Sequence, residues 1–197
     1  MIKVEKNIAG RPLKIESGQI ARQAGGSVLI SYGETAILAT VCCSSEPREG
    51  IDFLPMQVEY REKHYAGGKI PGGFFKREAK PTDAEVLTSR LTDRPIRPLI
   101  PKNYRHELQI MLTTMSYDGV NTPDVFAAIG ASAALLLSPV PFDGPIASVK
   151  VGLIDGEYVL NPTHEQMESS DLDLMVTGKK DKICMICLLY TSPSPRD

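Results

Sequence analysis

Pro71-Gly72-Gly73-Phe74-Phe75-Lys76-Arg77-Glu78-Ala79-Lys80-Pro81-Thr82-Asp83-Ala84-Glu85-Val86-Leu87-Thr88-Ser89-Arg90-Leu91-Thr92-Asp93-Arg94-Pro95-Ile96-Arg97-Pro98 joins a glycine-bearing loop to a short helix. Thr82 and Glu85 have capping-box spacing, which predicts a helix start near Asp83. Pro95 predicts its end, because proline lacks the N–H donor and restrains the residue before it. The loop sets two aromatic rings beside two cations. Arg90 and Arg94, spaced i, i+4, share one helix face, and Arg97 follows at the exit. Rings that stack bases beside guanidinium groups that pair with phosphates suit a single-stranded nucleic acid. The competing reading ties the arginines to Asp93, Glu85 or a neighbouring strand, and buries the phenylalanines. Two adjacent phenylalanines between Gly72-Gly73 and Lys76-Arg77 fit an exposed loop better than a core strand.

Around this stretch the chain reads as one domain of 197 residues with an ordinary soluble composition, 42% hydrophobic and 23% charged. The net charge of -2 gives no global reason for nucleic-acid binding. The local balance differs: Lys76, Arg77, Lys80, Arg90, Arg94, Arg97, Lys102 and Arg105 face only Glu78, Asp83, Glu85 and Asp93. A basic patch on an acidic body steers an anion to one place. Met-Ile-Lys-Val-Glu-Lys at the N-terminus lacks the apolar region of a signal peptide. The apolar run Ala131 to Leu137 is too short to span a membrane. Adjacent Cys42 and Cys43 on a strand point to opposite faces, and Cys184-x-x-Cys187 lacks a second pair. A cytoplasmic, reducing location follows as the expectation.

Apolar alternation predicts strands at Leu13–Ile15, Ser27–Ser31, Thr35–Val41, Leu54–Tyr60, Glu107–Ser116, Ile146–Ile154, Tyr158–Leu160 and Leu172–Val176. Tyr32-Gly33-Glu34 and Asp155-Gly156 read as turns. A second helix over Asp124 to Leu137 is rich in alanine and glycine, which suggests a close approach to a sheet. Many strands with a few helices predict an α+β domain, mixed β-sheets packed with a few α-helices. The tail Cys187 to Asp197 has little amphipathic pattern and matches the translation of a sequencing adapter. It reads as an assembly artefact or a disordered Ser/Pro tail, so the domain is assigned to residues 1–186 and is expected to be C-terminally incomplete.

Tyr65-Ala66-Gly67-Gly68-Lys69-Ile70-Pro71-Gly72-Gly73-Phe74-Phe75-Lys76-Arg77-Glu78 resembles the signature loop of the bacterial polynucleotide phosphorylase family. Leu91-Thr92-Asp93-Arg94-Pro95-Ile96-Arg97-Pro98-Leu99 is similar to it as well. So are Asn121-Thr122-Pro123-Asp124 running into Ile129-Gly130-Ala131-Ser132-Ala133-Ala134-Leu135, and Pro141-Phe142-Asp143-Gly144-Pro145-Ile146. The resemblance covers nearly all of residues 1–186 and places them at the first RNase PH-like domain. It implies phosphorolysis of single-stranded RNA, including mRNA, from the 3′ end: inorganic phosphate as co-substrate, nucleoside diphosphates as products. It also implies magnesium at a site in a second domain outside this chain, a homotrimeric ring, and components of an RNA-degradation complex as further partners.

By the same resemblance Phe74, Phe75, Lys76 and Arg77 line a channel, with lysine where the family has arginine. Lysine keeps the charge and loses the bidentate fork. Arg90, Arg94 and Arg97 match arginines on the substrate path. The family's phosphate site is a serine-rich turn at a helix N-terminus. Here that place reads Asn121-Thr122-Pro123-Asp124, where proline offers no N–H and aspartate repels phosphate. The fragment is therefore expected to be catalytically silent, with no catalytic residue and no metal ligands of its own; His64, His106 and His164 have no ligand-like spacing. Two other readings stay open: a standalone RNase PH-type phosphorylase, and a non-enzymatic RNA-binding or assembly module.

Overall fold

The computed structural model describes residues 2–72 and 80–188. Two sheets and two principal helices build the domain. The larger sheet has the order β1-β2-β3-β4-β6-β5: β1 Ile2–Ile8, β2 Arg11–Ser17, β3 Gly26–Tyr32, β4 Thr35–Pro47, β5 Met56–Glu62 and β6 His106–Ser116. Its pairs are antiparallel except β5 on β6, which is parallel. The parallel pair requires a crossover, and α1 (Asp83–Ile96) lies in it, packed on β5. The smaller sheet, β10-β9-β7-β8, is antiparallel throughout, with β7 Ala147–Ile154, β8 Glu157–Leu160, β9 Asp173–Lys179 and β10 Lys182–Leu188.

Helix α2 (Asp124–Leu136) joins the two sheets, touching β3 and β4 of one and β7 of the other. The alternating residues of three strands supply its bed. Val28, Ile30 and Tyr32, then Ile37, Ala39 and Val41, then Leu108, Ile110 and Leu112 are all buried, as period-two patterning requires. Each large aliphatic side chain so buried contributes about 1.5–3 kcal/mol. The small residues of α2 let its backbone come close. A Cβ on Gly130 would lie 3.0 Å from Ile30 Cγ2 and 3.2 Å from Ala39 Cβ. A Cβ on Gly26 would sit 2.1 Å from the Ala134 carbonyl oxygen.

The α+β class, both principal helices and the eight expected strands are all present. Asp155 and Gly156 both take positive φ, 50° and 81°, as a tight hairpin turn needs. Three elements escape the sequence patterning. Strand β1 places Ile2, Val4 and Ile8 at alternate positions, a signal the sequence reading passed over, and it is exposed along nearly its whole length; its pairing with β2 is reinforced by Lys3–Glu16 at 3.0 Å. The single-turn helix α3 (His164–Glu168) is too short for a period, though Thr163 and Gln166 form a capping box. Strand β10 pairs with β9 through Leu188, two residues beyond the expected domain end, and carries a bulge between Ile183 and Met185 that breaks its alternation.

One expectation needs correction. Helix α1 does not stop before Pro95; Pro95 lies inside it and the helix runs to Ile96. Pro95 and Ile96 are both buried, so packing of the last turn outweighs the one backbone hydrogen bond that proline removes. The Arg97 N–H bonds the Asp93 carbonyl, and a short 3-10 turn, Arg97–Leu99, tightens the exit.

Candidate nucleic-acid interface

The start of α1 is built as the capping box predicts. The Glu85 N–H donates to Thr82 Oγ1 at 3.2 Å, and Thr82 N–H donates to Glu85 Oε2 at 2.6 Å. The other carboxylate oxygen, Glu85 Oε1, accepts from the Glu62 N–H at 2.8 Å. One buried glutamate thus caps the helix and fixes the end of β5, which orients the whole face of α1 relative to the sheet.

On that face Arg90 and Arg94 are exposed. Among the described residues neither makes a hydrogen bond or an ion pair. They stand one turn apart beside the exposed Leu87. Arg97 behaves differently. Its Nε and one Nη grip the Asp93 carboxylate at 3.1 and 2.6 Å, and its guanidinium also donates to the Leu54 and Met56 carbonyls at 3.2 and 3.1 Å. Most of its fork is therefore committed to joining the end of α1 to the start of β5. The alternative that the sequence left open, an arginine paired with Asp93, holds for Arg97. Phe74, Phe75, Lys76 and Arg77 lie outside the described residues. Lys69 and Lys80, on either side of them in the chain, both line one large cleft.

This cleft, about 1060 Å³, opens between the 3-10 turn His64–Gly67, the start of α1 and the start of α2. Arg61, Lys63, Lys69 and Lys80 bring positive charge to it, and Glu62, Glu85, Asp118 and Asp124 bring negative charge. Arg61 is paired with Glu59 at 2.8 Å. Asp118 organises one wall. Its Oδ1 accepts from the Val120 and Asn121 N–H groups, both at 2.8 Å, and its Oδ2 accepts from Asn121 Nδ2 at 2.6 Å. Burial acts to raise its pKa, but these donors outweigh it and hold the carboxyl down at about 2. Arg11 braces Asn121, donating to Asn121 Oδ1 and to the Asn161 carbonyl, with Tyr32 beneath its guanidinium.

The start of α2 is not an anion cradle. Pro123 has no N–H, and the Val125 N–H is taken by Asp124 Oδ1 at 2.9 Å. The Phe126 and Ala127 N–H groups both turn inward to the Pro123 carbonyl. Three of the N–H groups that would hold phosphate at a helix terminus, those of Val125, Phe126 and Ala127, are thus engaged within the chain. The Asp124 carboxylate faces Lys150 on β7, 3.8 Å away, and Lys150 Nζ lies 3.3 Å from Asp173 on β9. The sequence reading missed Lys150 and Asp173. The available signal was a lysine at a core-facing position of a strand, between Ser148 and Gly152, which are both buried.

Magnesium does not fit this end of the domain. The two carboxylates that converge there, Asp124 and Asp173, already share a buried ammonium. Among the described residues no group of three or more His, Cys, Asp or Glu side chains gathers elsewhere. Among the same residues no helix is long and apolar enough to cross a membrane.

Two family models match in succession: the 3′ exoribonuclease family, domain 1, over residues 9–141, and the same family, domain 2, over residues 144–188. The polyribonucleotide nucleotidyltransferase of Maricaulis maris is 57% identical over 178 residues, 90% of this chain and 25% of the relative. That of Alkaliphilus oremlandii is 54% identical over 187 residues, 94% of this chain and 26% of the relative. The chain thus spans about a quarter of the length of the curated relatives it matches. Among solved structures, rice (Oryza sativa) Rrp46 superposes with a TM-score of 0.73 at 15% identity, over 93% of this chain and 82% of that one. A chain of the Archaeoglobus fulgidus exosome with RNA bound to the active site gives 0.67 at 18% identity, over 90% and 77%. At such identities the likeness is one of fold.

Proposed function

Because the chain belongs to the 3′ exoribonuclease family, we propose that it is the RNA-gripping, trimer-forming part of a phosphate-dependent 3′-to-5′ exoribonuclease, a polyribonucleotide nucleotidyltransferase. The observation that carries this reading is the pair Arg90 and Arg94, exposed one turn apart on α1 and without partners among the described residues. Free guanidiniums on a rigid helix grip successive phosphates at little further entropic cost. Phe74, Phe75, Lys76 and Arg77, between the cleft-lining Lys69 and Lys80, stack bases and pair phosphates in this reading. Arg97 shares this path mainly by fixing the end of α1 to β5.

In this proposal the first RNase PH-like domain, read from the sequence as residues 1–186, extends through the end of β10 at Leu188, and the domain itself is silent. Chemistry belongs to the longer protein, which uses inorganic phosphate and magnesium outside this segment and acts in the cytoplasm as a homotrimer alongside other RNA-degrading components. The engaged N–H groups at the start of α2 support the silence of this domain.

The test combines binding and turnover. Labelled single-stranded RNA is titrated against the chain at several salt concentrations. Each phosphate contacted contributes about -0.7 to the slope of log affinity against log salt. Arg90→Ala with Arg94→Ala should flatten the slope by about 1.4. An unchanged slope in the folded double variant removes the proposed path. Incubation with RNA and phosphate should release no nucleoside diphosphate; release would make this domain an active phosphorylase.

A further inference from the structure

Lys150 projects from β7 toward the junction of α2 and β9, and its side chain is only 10% exposed. A lysine is rarely so buried without a carboxylate partner. It has two, Asp173 Oδ2 at 3.3 Å and Asp124 Oδ2 at 3.8 Å. Two carboxylates and one ammonium leave the cluster one negative charge in excess. Asp173 Oδ1 is buried and has no hydrogen-bond partner among the described residues. The backbone of Lys150 is pinned on both sides. Its N–H donates to Asn161 Oδ1 at 3.0 Å, and its carbonyl accepts the Asn161 N–H at 2.7 Å. The ammonium is therefore held between the carboxylates by a fixed strand rather than by a mobile surface stem.

A divalent cation in an oxygen site needs carboxylates that converge on a point and an open coordination shell. The carboxylates here converge, and the point is taken by a side chain. We propose that Lys150 is a tethered replacement for a divalent cation. It balances Asp124 and Asp173 and joins α2 to the smaller sheet, and it keeps this end of the domain free of metal. The ion-pair geometry is independent of RNA binding, so either reading can fail without the other.

The experiment uses the 197-residue chain as wild type, Lys150→Met and Lys150→Arg, with Mn²⁺ as the probe. Free Mn²⁺ is followed by electron paramagnetic resonance, and folding by circular dichroism and thermal unfolding. Wild type and Lys150→Arg should bind Mn²⁺ only at background strength. Lys150→Met should bind one Mn²⁺ at least about tenfold more tightly, in competition with Mg²⁺, and lose it again when Asp173→Asn is added. Should Lys150→Met be unfolded in metal-free buffer, recovery of its fold on adding Mn²⁺ supports the proposal, and failure to recover overturns it. A folded Lys150→Met without the gain overturns it too. So does wild-type Mn²⁺ binding that Asp173→Asn abolishes.

Discussion

Replacing Arg97 by alanine should weaken the fold and leave the salt dependence of RNA binding nearly untouched. The side chain makes a two-pronged contact with Asp93 and donates to two backbone carbonyls. Hydrogen bonds to a charged group contribute about 1.5–3 kcal/mol each when well buried. Here the arginine side chain is 41% exposed and the aspartate 24%, so solvent screening and replacement by water cut that sum sharply. The two carbonyls that lose this donor lie at and just before the start of β5, where Leu54 and Met56 pack against the core, and the Leu54 carbonyl keeps the Met56 N–H. A net loss of about 2 kcal/mol follows, which lowers the melting temperature by roughly 4–8 °C for a domain of this size. The ammonium of an Arg97→Lys variant reaches one acceptor at a time and should recover less than half of the loss. Urea and thermal unfolding of the three proteins give the stability; RNA titrations at several salt concentrations give the slope. An Arg97→Ala protein as stable as wild type, but with a salt slope smaller by about 0.7, would show that Arg97 contacts phosphate and that its protein partners are incidental.

Arg90→Ala and Arg94→Ala should each change stability by less than about 0.5 kcal/mol, since neither side chain has a partner among the described residues; a larger loss in urea unfolding would mean that they are structural. Gly130→Leu should destabilise by several kcal/mol or abolish folding, because even a Cβ at Gly130 lies 3.0 Å from Ile30; near-wild-type unfolding would refute the close approach of α2 to the sheet. Asp118 has a depressed pKa, about 2 against an ordinary 3.8, so its contribution is present above about pH 4 and lost as the pH falls through about 2. Discounted for its exposure, that contribution is about 1 kcal/mol, and Asp118→Asn should flatten the acid limb of the stability profile. An identical acid limb in that variant would place the titration elsewhere.

The α+β class was legible because short segments carry strong local signals. Val28, Ile30 and Tyr32 alternate cleanly, Asp155-Gly156 demands a turn, and Thr82 with Glu85 demands a helix start. The small residues of α2 announced a close contact, though not with which strands. β1 was passed over although Ile2, Val4 and Ile8 alternate, because Lys6 interrupts the pattern and an exposed edge strand is held by pairing with β2 and by surface ion pairs rather than by a buried face. Nor was the continuation of α1 through Pro95, since burial of Pro95 and Ile96 is a tertiary matter.

At the candidate site the sequence alone determined which residues are candidates for the proposed RNA path: an aromatic–basic loop, an arginine pair at helical spacing, and a further arginine at the helix exit. Local spacing is enough for that, because an i, i+4 pair shares a face in any helix. Among the described arginines, only the tertiary structure decided which are free. Arg97 meets Leu54 and Met56, 43 and 41 residues away in the chain, and so becomes a strut. Lys150 meets Asp124 and Asp173 across separate elements, and so becomes a counter-ion. The availability of a charge depends on what the fold brings within about 4 Å of it, and no local pattern encodes that distance.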